Sequence, residues 1–210
     1  MSLPSPLLAV TDRHGHSRPL PETVRAVLAG GGRWIWFRDR DLPDEERRLL
    51  GQTLADDVRA AGGVLTVGGD VDLALALGAG GIHLPMTALD GVRQRVGPDR
   101  LIGASAHSLG DVAAAASAGA DYVTLSPIFP TASKPGYGPA LGPEAITATR
   151  RYGLPIIALG GIDESNLTFC RDAGAAGFAV MGGVMRSEDP TATVRRLITR
   201  WQAPPSSRTQ

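Results

Sequence analysis

The chain has 210 residues, and its 21 acidic and 21 basic residues cancel. That balance excludes a global field able to recruit nucleic acid or an anionic membrane, and the length suits one large domain. Cys170 is the only cysteine, which rules out an intrachain disulfide and reads as a buried thiol in a reducing compartment.

No apolar run approaches the ~20 residues that span a bilayer. The opening stretch MSLPSPLLAVTDR has no basic region followed by an apolar core and a cleavage site. The expectation is a soluble, cytoplasmic protein. In chain order, short apolar runs alternate with segments of helical length. LLAV at 7–10 precedes a helix around 21–29, and WIWF at 34–37 precedes one at 43–61, started by Pro43, Asp44 and Glu45. VLTV at 64–67 leads to a helix at 72–77, and GIHL at 81–84 to one near 87–96. LIGAS at 101–105 leads to LGDVAAAASAG, and YVTLS at 122–126 to a long loop and a helix at 143–152. PIIAL at 155–159 leads to DESNLTFCRDAG, and GFAVM at 177–181 to a last helix at about 190–201.

Runs that are apolar on both faces suit parallel strands covered by helices. Eight strand-then-helix units in this length predict a single (β/α)8 TIM barrel over residues 1–202. The tail 203–210, polar and proline-containing, is expected to be disordered. In such a barrel, chemistry sits on the loops after the strand C-termini. That rule selects Thr11 to Arg13, Arg38 to Arg40, Gly68 to Asp70, His83, Ser105 to His107, the loop 126–140, and the pairs Gly160-Gly161 and Gly182-Gly183. The loop contains Lys134, the only lysine among the basic residues. A lysine offers a compact ammonium with a tunable pKa where an arginine offers a broad fork. The two glycine pairs follow strands 7 and 8, where barrel enzymes frequently hold a substrate phosphate on backbone N–H groups.

VTDR, the HL after strand 4, SAHS, SPIFPTASKPG, ALGGI and AVMGGV occur in that order. On these motifs the chain resembles the thiamine phosphate synthase superfamily over about residues 7–200, and SPIFPTASKPG is the most specific of them. The resemblance implies a barrel and one of two activities. The synthase joins a pyrimidine pyrophosphate to a carboxythiazole phosphate, whereas the TenI-type tautomerase aromatises the same thiazole phosphate by a proton shift.

Pyrophosphate expulsion calls for Mg²⁺ held by carboxylates. The resemblance implies that these come from an ND pair after strand 3 and a GQ-acid-D motif after strand 4. Here the positions read Gly68-Gly69, with Asp70 one place later, and Pro85-Met86-Thr87-Ala88. The Q-x-R-E-K motif after strand 2 reads Trp36-Phe37-Arg38-Asp39-Arg40. Arg38 is kept, Arg40 stands for a lysine, and Trp36 replaces an amide. The thiazole half matches better: Thr131, Ser133, Lys134, Gly160, Gly161, Gly182 and Gly183 are expected to hold substrate and phosphate with Arg38, and Ser105 matches a serine near the reacting centre.

The sequence therefore points to the tautomerase branch, with no metal and no cofactor, acting on a small-molecule thiazole phosphate. Its catalytic candidates are His107, Lys134 and Ser105. Some tautomerases carry a histidine at the position of Pro127, which transfers no proton, and His107 is the nearest titratable replacement. His83 reads as a structural hydrogen-bonding residue, and His14 and His16 as solvated loop residues. Asp12 and Asp39 are expected in salt bridges to Arg13, Arg38 or Arg40, and Tyr137 as a cap on the pocket. Two alternatives stay open: a synthase with an altered Mg²⁺ site built on Asp70 and Asp39, and a non-catalytic phosphate-binding protein. A homo-oligomer is compatible with all three; no nucleic-acid or membrane partner is expected.

Overall fold

The computed structural model describes residues 2–131 and 139–204. The strands are β1 (Leu7–Val10), β2 (Trp34–Phe37), β3 (Val64–Gly68), β4 (Gly81–Pro85), β5 (Leu101–Ala106), β6 (Tyr122–Leu125), β7 (Ile156–Leu159) and β8 (Gly177–Val180). They pair in parallel, each with the next in sequence, and β8 closes on β1, so the sheet is a barrel with no edge. The α-helices among the described residues are α1 (Leu20–Ala29), α2 (Asp44–Ala60), α3 (Val71–Ala76), α4 (Val92–Val96), α5 (Leu109–Ser117), α6 (Gly142–Thr149), α7 (Leu167–Asp172), α8 (Gly182–Met185) and α9 (Pro190–Gln202). This is the (β/α)8 architecture that the eightfold alternation predicts.

The strands are largely apolar because both of their faces are buried. Leu7, Ala9, Ile35 and Phe37 pack outward against the helices. Their neighbours Leu8, Val10, Trp34 and Trp36 pack inside the barrel with Leu101, Tyr122, Ile157 and Ala179. This is the period-two alternation of a strand applied to two cores. Large interior rings need small neighbours. Trp34 and Tyr122 meet edge to face at 4.8 Å, and Gly103 of β5 leaves the room beside Tyr122. A Cβ on Gly103 would overlap the Tyr122 ring and lie 2.6 Å from Nδ1 of His83. Gly103 is therefore needed for space, since its backbone is not in the left-handed region.

Three local details differ from expectation. The helix expected near 87–96 is split into a 3₁₀ turn, Met86–Ala88, and α4, because Gly91 between them is left-handed at φ +69°. α7 begins only at Leu167: Asp163 accepts from the N–H and hydroxyl of Ser165, and Asn166 accepts from the N–H of Asp163, so these side chains hold a turn instead of a helix. The short α8 lies directly after β8, where only a glycine turn is expected. Cys170 is fully buried, and burial pushes its thiol up to about 12, so it is a packing residue. No helix of the described residues is long and apolar enough to cross a membrane. The expected tail lies largely outside the described residues.

Candidate active site

A cavity of about 690 Å³ opens at the C-terminal end of the barrel. Every strand except β3 and β6 contributes to its lining. β5 supplies Ser105 and His107, β6 is followed by Ser126, Pro127 and Thr131, and β2 gives Trp36 and the loop from Arg38 to Asp41. Gly160, Gly161, Gly182 and Gly183 line the side formed by the ends of β7 and β8. The fold thus brings the described candidate residues, which stand far apart in the chain, into one cavity. Ser133, Lys134 and Tyr137 lie outside the described residues.

Ser105 and His107 are two positions apart on one strand end, so both face the barrel mouth. The Nδ1 atom of His107 lies 2.9 Å from the Ser126 carbonyl oxygen and 3.2 Å from the Ser126 hydroxyl. A carbonyl only accepts, so Nδ1 carries the hydrogen and donates it. Nε2 is then the basic atom of the neutral ring, the form suited to taking a proton. The Asp111 carboxylate accepts from the His107 backbone N–H at 2.8 Å, while Ser108 caps α5 by accepting from Asp111 N–H at 3.1 Å. The histidine therefore sits at a well-anchored strand-to-helix junction.

Ser105 connects inward. Its hydroxyl is 3.0 Å from Nε2 of His83, and Nδ1 of His83 is 3.1 Å from the Tyr122 hydroxyl. His83 is fully buried in the middle of β4 rather than at its end. Burial, assisted by the positive charge of Arg40, lowers its pKa to about 3, so the ring is neutral at physiological pH. Burial likewise pushes the Tyr122 phenol up. Trp36 stacks on His83 at 4.0 Å between centroids, and its buried Nε1–H has no hydrogen-bond partner among the described residues.

The acidic residues are committed to holding loops. Asp39 accepts from the Thr11 hydroxyl at 2.5 Å and from the Arg13 backbone N–H at 2.8 Å, joining the ends of β1 and β2. This replaces the salt bridges expected for it. Asp12 lies 3.8 Å from Arg186, and His14 and Arg13 both meet Asp41 in the loop after β2. Asp70 caps α3 by accepting from Leu73 N–H and receives Arg47 Nη1 at 2.9 Å. Arg47 itself is buried and also donates to the carbonyls of Asp39 and Gly68, clamping the ends of β2 and β3 together. Neither Arg47 nor this clamp is marked by any sequence motif.

These commitments decide whether the residues fit a magnesium ion. Hard cations take oxygen ligands, usually carboxylates. At the end of β3 the place of a ligand is taken by a cation: the Arg40 guanidinium carbon would lie 2.5 Å from a Cβ on Gly69. Burial and the neighbouring Arg38 and Arg47 hold the pKa of Arg40 below its ordinary value, yet guanidinium stays charged at neutral pH. The end of β4 offers Pro85 and Met86, and no group of three His, Cys, Asp or Glu side chains among the described residues is arranged to hold a metal. The residues present do not fit the ion.

The glycines after β7 serve a different purpose from those after β8. Gly160 and Gly161 have φ of +94° and +64° and pack against the backbone of 127–130, which donates from Ile128 N–H to Leu159 O and from Phe129 N–H to Gly160 O. Gly182 and Gly183 open α8, and the first N–H groups of a helix have no partner within it. A Cβ on Gly183 would meet nothing within 4 Å. The space beside Gly183 is open, while the Arg186 side chain lies over Gly182.

A family model described as thiamine monophosphate synthase (TMP-TENI) matches residues 7–184. A thiamine-phosphate synthase of a Roseiflexus species is 38% identical over 192 residues, spanning 90% of this chain and 81% of the relative. That of Moorella thermoacetica is 35% identical over 193 residues, spanning 90% and 92%. Among solved structures, the thiamine phosphate pyrophosphorylase from Pyrococcus furiosus superposes with a TM-score of 0.84 at 30% identity, covering 93% of this chain and 94% of that one.

Proposed function

This chain belongs to the thiamine monophosphate synthase family, and within that family we propose that it binds a carboxythiazole phosphate and aromatises it by a metal-free proton shift. The observation that carries the reading is the pairing of an anchored base with a hydroxyl in one cavity, beside a β3 end where Arg40 stands in place of metal-binding carboxylates. A tautomerisation needs a group that takes a proton from one carbon and a route that returns a proton to the other end of the conjugated system, with no change in atoms or oxidation state. His107 Nε2 takes the proton, and the imidazolium so formed returns it to the other end of the conjugated system. The Ser105 hydroxyl faces the electron density released by that step. The phosphate is held by the N–H groups of Gly182 and Gly183 and the turn at Gly160 and Gly161, with Thr131 and Arg38 alongside; Ser133 and Lys134, in the loop after β6, complete the proposed substrate contacts.

One observation favours a second reading. The curated relatives above are named synthases, which supports condensation with a pyrimidine pyrophosphate. Arg38 and Arg40 would then neutralise the leaving pyrophosphate without the usual carboxylate-bound ion. A proton NMR time course of the non-aromatic carboxythiazole phosphate in excess EDTA separates the two. Acceleration over the uncatalysed control is expected. No acceleration, together with product formation from the aromatic thiazole phosphate and the pyrimidine pyrophosphate, would establish the synthase instead.

A further inference from the structure

The polar groups inside the barrel form a chain with one free direction. Trp34 Nε1 is 2.9 Å from Thr66 Oγ1, and an indole N–H can only donate. Thr66 Oγ1 therefore accepts there. A phenol is a stronger hydrogen-bond donor and a weaker acceptor than an aliphatic hydroxyl, so among the hydroxyls around His83 it is Tyr122 that donates, to Nδ1 at 3.1 Å. With Nδ1 accepting, the hydrogen of the neutral ring must sit on Nε2. Nε2–H points at Ser105 Oγ, 3.0 Å away, with the Thr124 hydroxyl further off at 3.3 Å. Trp34, Thr66, His83, Tyr122 and Thr124 are buried, so no solvent intrudes to reverse the order. The contact between His83 and Tyr122 crosses β5, and it exists because Gly103, the neighbour of both in register, has no side chain.

We propose that this buried chain locks His83 as the Nε2–H tautomer and so makes the Ser105 hydroxyl a dedicated hydrogen-bond donor to the bound ligand. His83 is then a positioning residue, acting through Ser105. The site accordingly takes a ligand that presents a lone pair, or gathers electron density, at the atom facing Ser105. Cooperative polarisation along the chain strengthens that last donor. The division of labour follows: with its oxygen accepting from His83, the Ser105 hydroxyl is turned toward donating, and proton abstraction is left to the imidazole of His107. This step rests on the proposed proton shift, but the tautomer is a property of the protein without substrate.

The test is long-range ¹⁵N–¹H NMR of the intact protein at pH 7. A pyridine-type Nδ1 and a pyrrole-type Nε2 are expected for His83; a pyrrole-type Nδ1, or two pyrrole-type nitrogens, would overturn the lock. Tyr122→Phe should populate both tautomers, and an unchanged pure Nε2–H form in that variant would show that Tyr122 does not set it. In the EDTA assay, Ser105→Ala should lower kcat by about 100-fold with little change in KM, the size of effect seen when a single preorganised donor is removed. An unchanged kcat would refute the donor role. The expected tautomer in a protein that shows no aromatisation would sink the proposed function while leaving the lock standing.

Discussion

Two sides of the same barrel mouth handle polar groups in opposite ways. On the β4–β6 side each polar side chain is satisfied by protein: His83 by Tyr122 and Ser105, and His107 by Ser126. On the β2–β3 side Arg47 is satisfied, but the donors facing the cavity are not. Among the described residues, Trp36 Nε1 has no hydrogen-bond partner, the Arg38 guanidinium meets the Met181 sulfur at 3.8 Å, and Arg40 lies against the bare Gly69. The satisfied side holds its groups in place by hydrogen bonds, suited to moving a proton between fixed positions. The open side is cationic, suited to an anion that the protein does not itself supply. The difference teaches that the loss of expected metal ligands is no mere deletion, because the vacated space is filled by positive charge.

The largest test of that contrast is acid. Above about pH 6.5 His83 is neutral in both the folded and the unfolded chain, so its contribution is fully present. As the pH falls toward 3 the unfolded chain takes up a proton that the folded chain refuses. Stability should fall through that window by roughly 4–5 kcal/mol from this group alone. Urea unfolding at stepped pH checks this, and His83→Gln should flatten the curve. If the two curves are parallel, the satisfied side is not as closed to charge as its geometry implies.

Next comes the base. His107→Ala should lower kcat for aromatisation by about 10²–10⁴-fold, the usual contribution of a positioned base, without shifting the urea midpoint. A small effect would move proton transfer to the other side of the mouth. The clamp between the sides is weaker but measurable. Arg47→Met leaves two carbonyls and Asp70 without their donor, and should destabilise the fold by about 2–3 kcal/mol in urea titration. The smallest effect is expected at Gly183→Ala, with stability changed by less than about 0.5 kcal/mol because the added methyl meets open space. Its KM for the thiazole phosphate should nonetheless rise, since the methyl narrows the approach to the N–H groups of α8. An unchanged KM would remove the phosphate from that end.

Much of the fold was legible in the chain. Runs such as WIWF and LLAV, apolar at every position, suit strands buried on both faces, and eight such segments separated by helical ones close into a barrel. The loop rule then placed Ser105, His107 and the glycine pairs at one rim. The split of the helix near 87–96 at Gly91 and the late start of α7 at Leu167 were less legible, because a glycine or an Asx turn tips a short segment by an energy comparable to its helix propensity. Asp39 was misread for another reason: its partner Thr11 lies 28 positions away.

By itself, the sequence determined which residues face inward and which loops gather at the rim, since alternation along a strand and punctuation between elements are local properties. Only the tertiary structure decided who meets whom. That Tyr122 reaches His83 across the gap at Gly103, that Arg40 covers Gly69, and that Arg47 ties β2 to β3 all depend on the register of a closed sheet. Closure sets those partners because a hydrogen bond is made or lost within a fraction of an ångström, whereas hydrophobic burial tolerates any arrangement that removes the same surface from water.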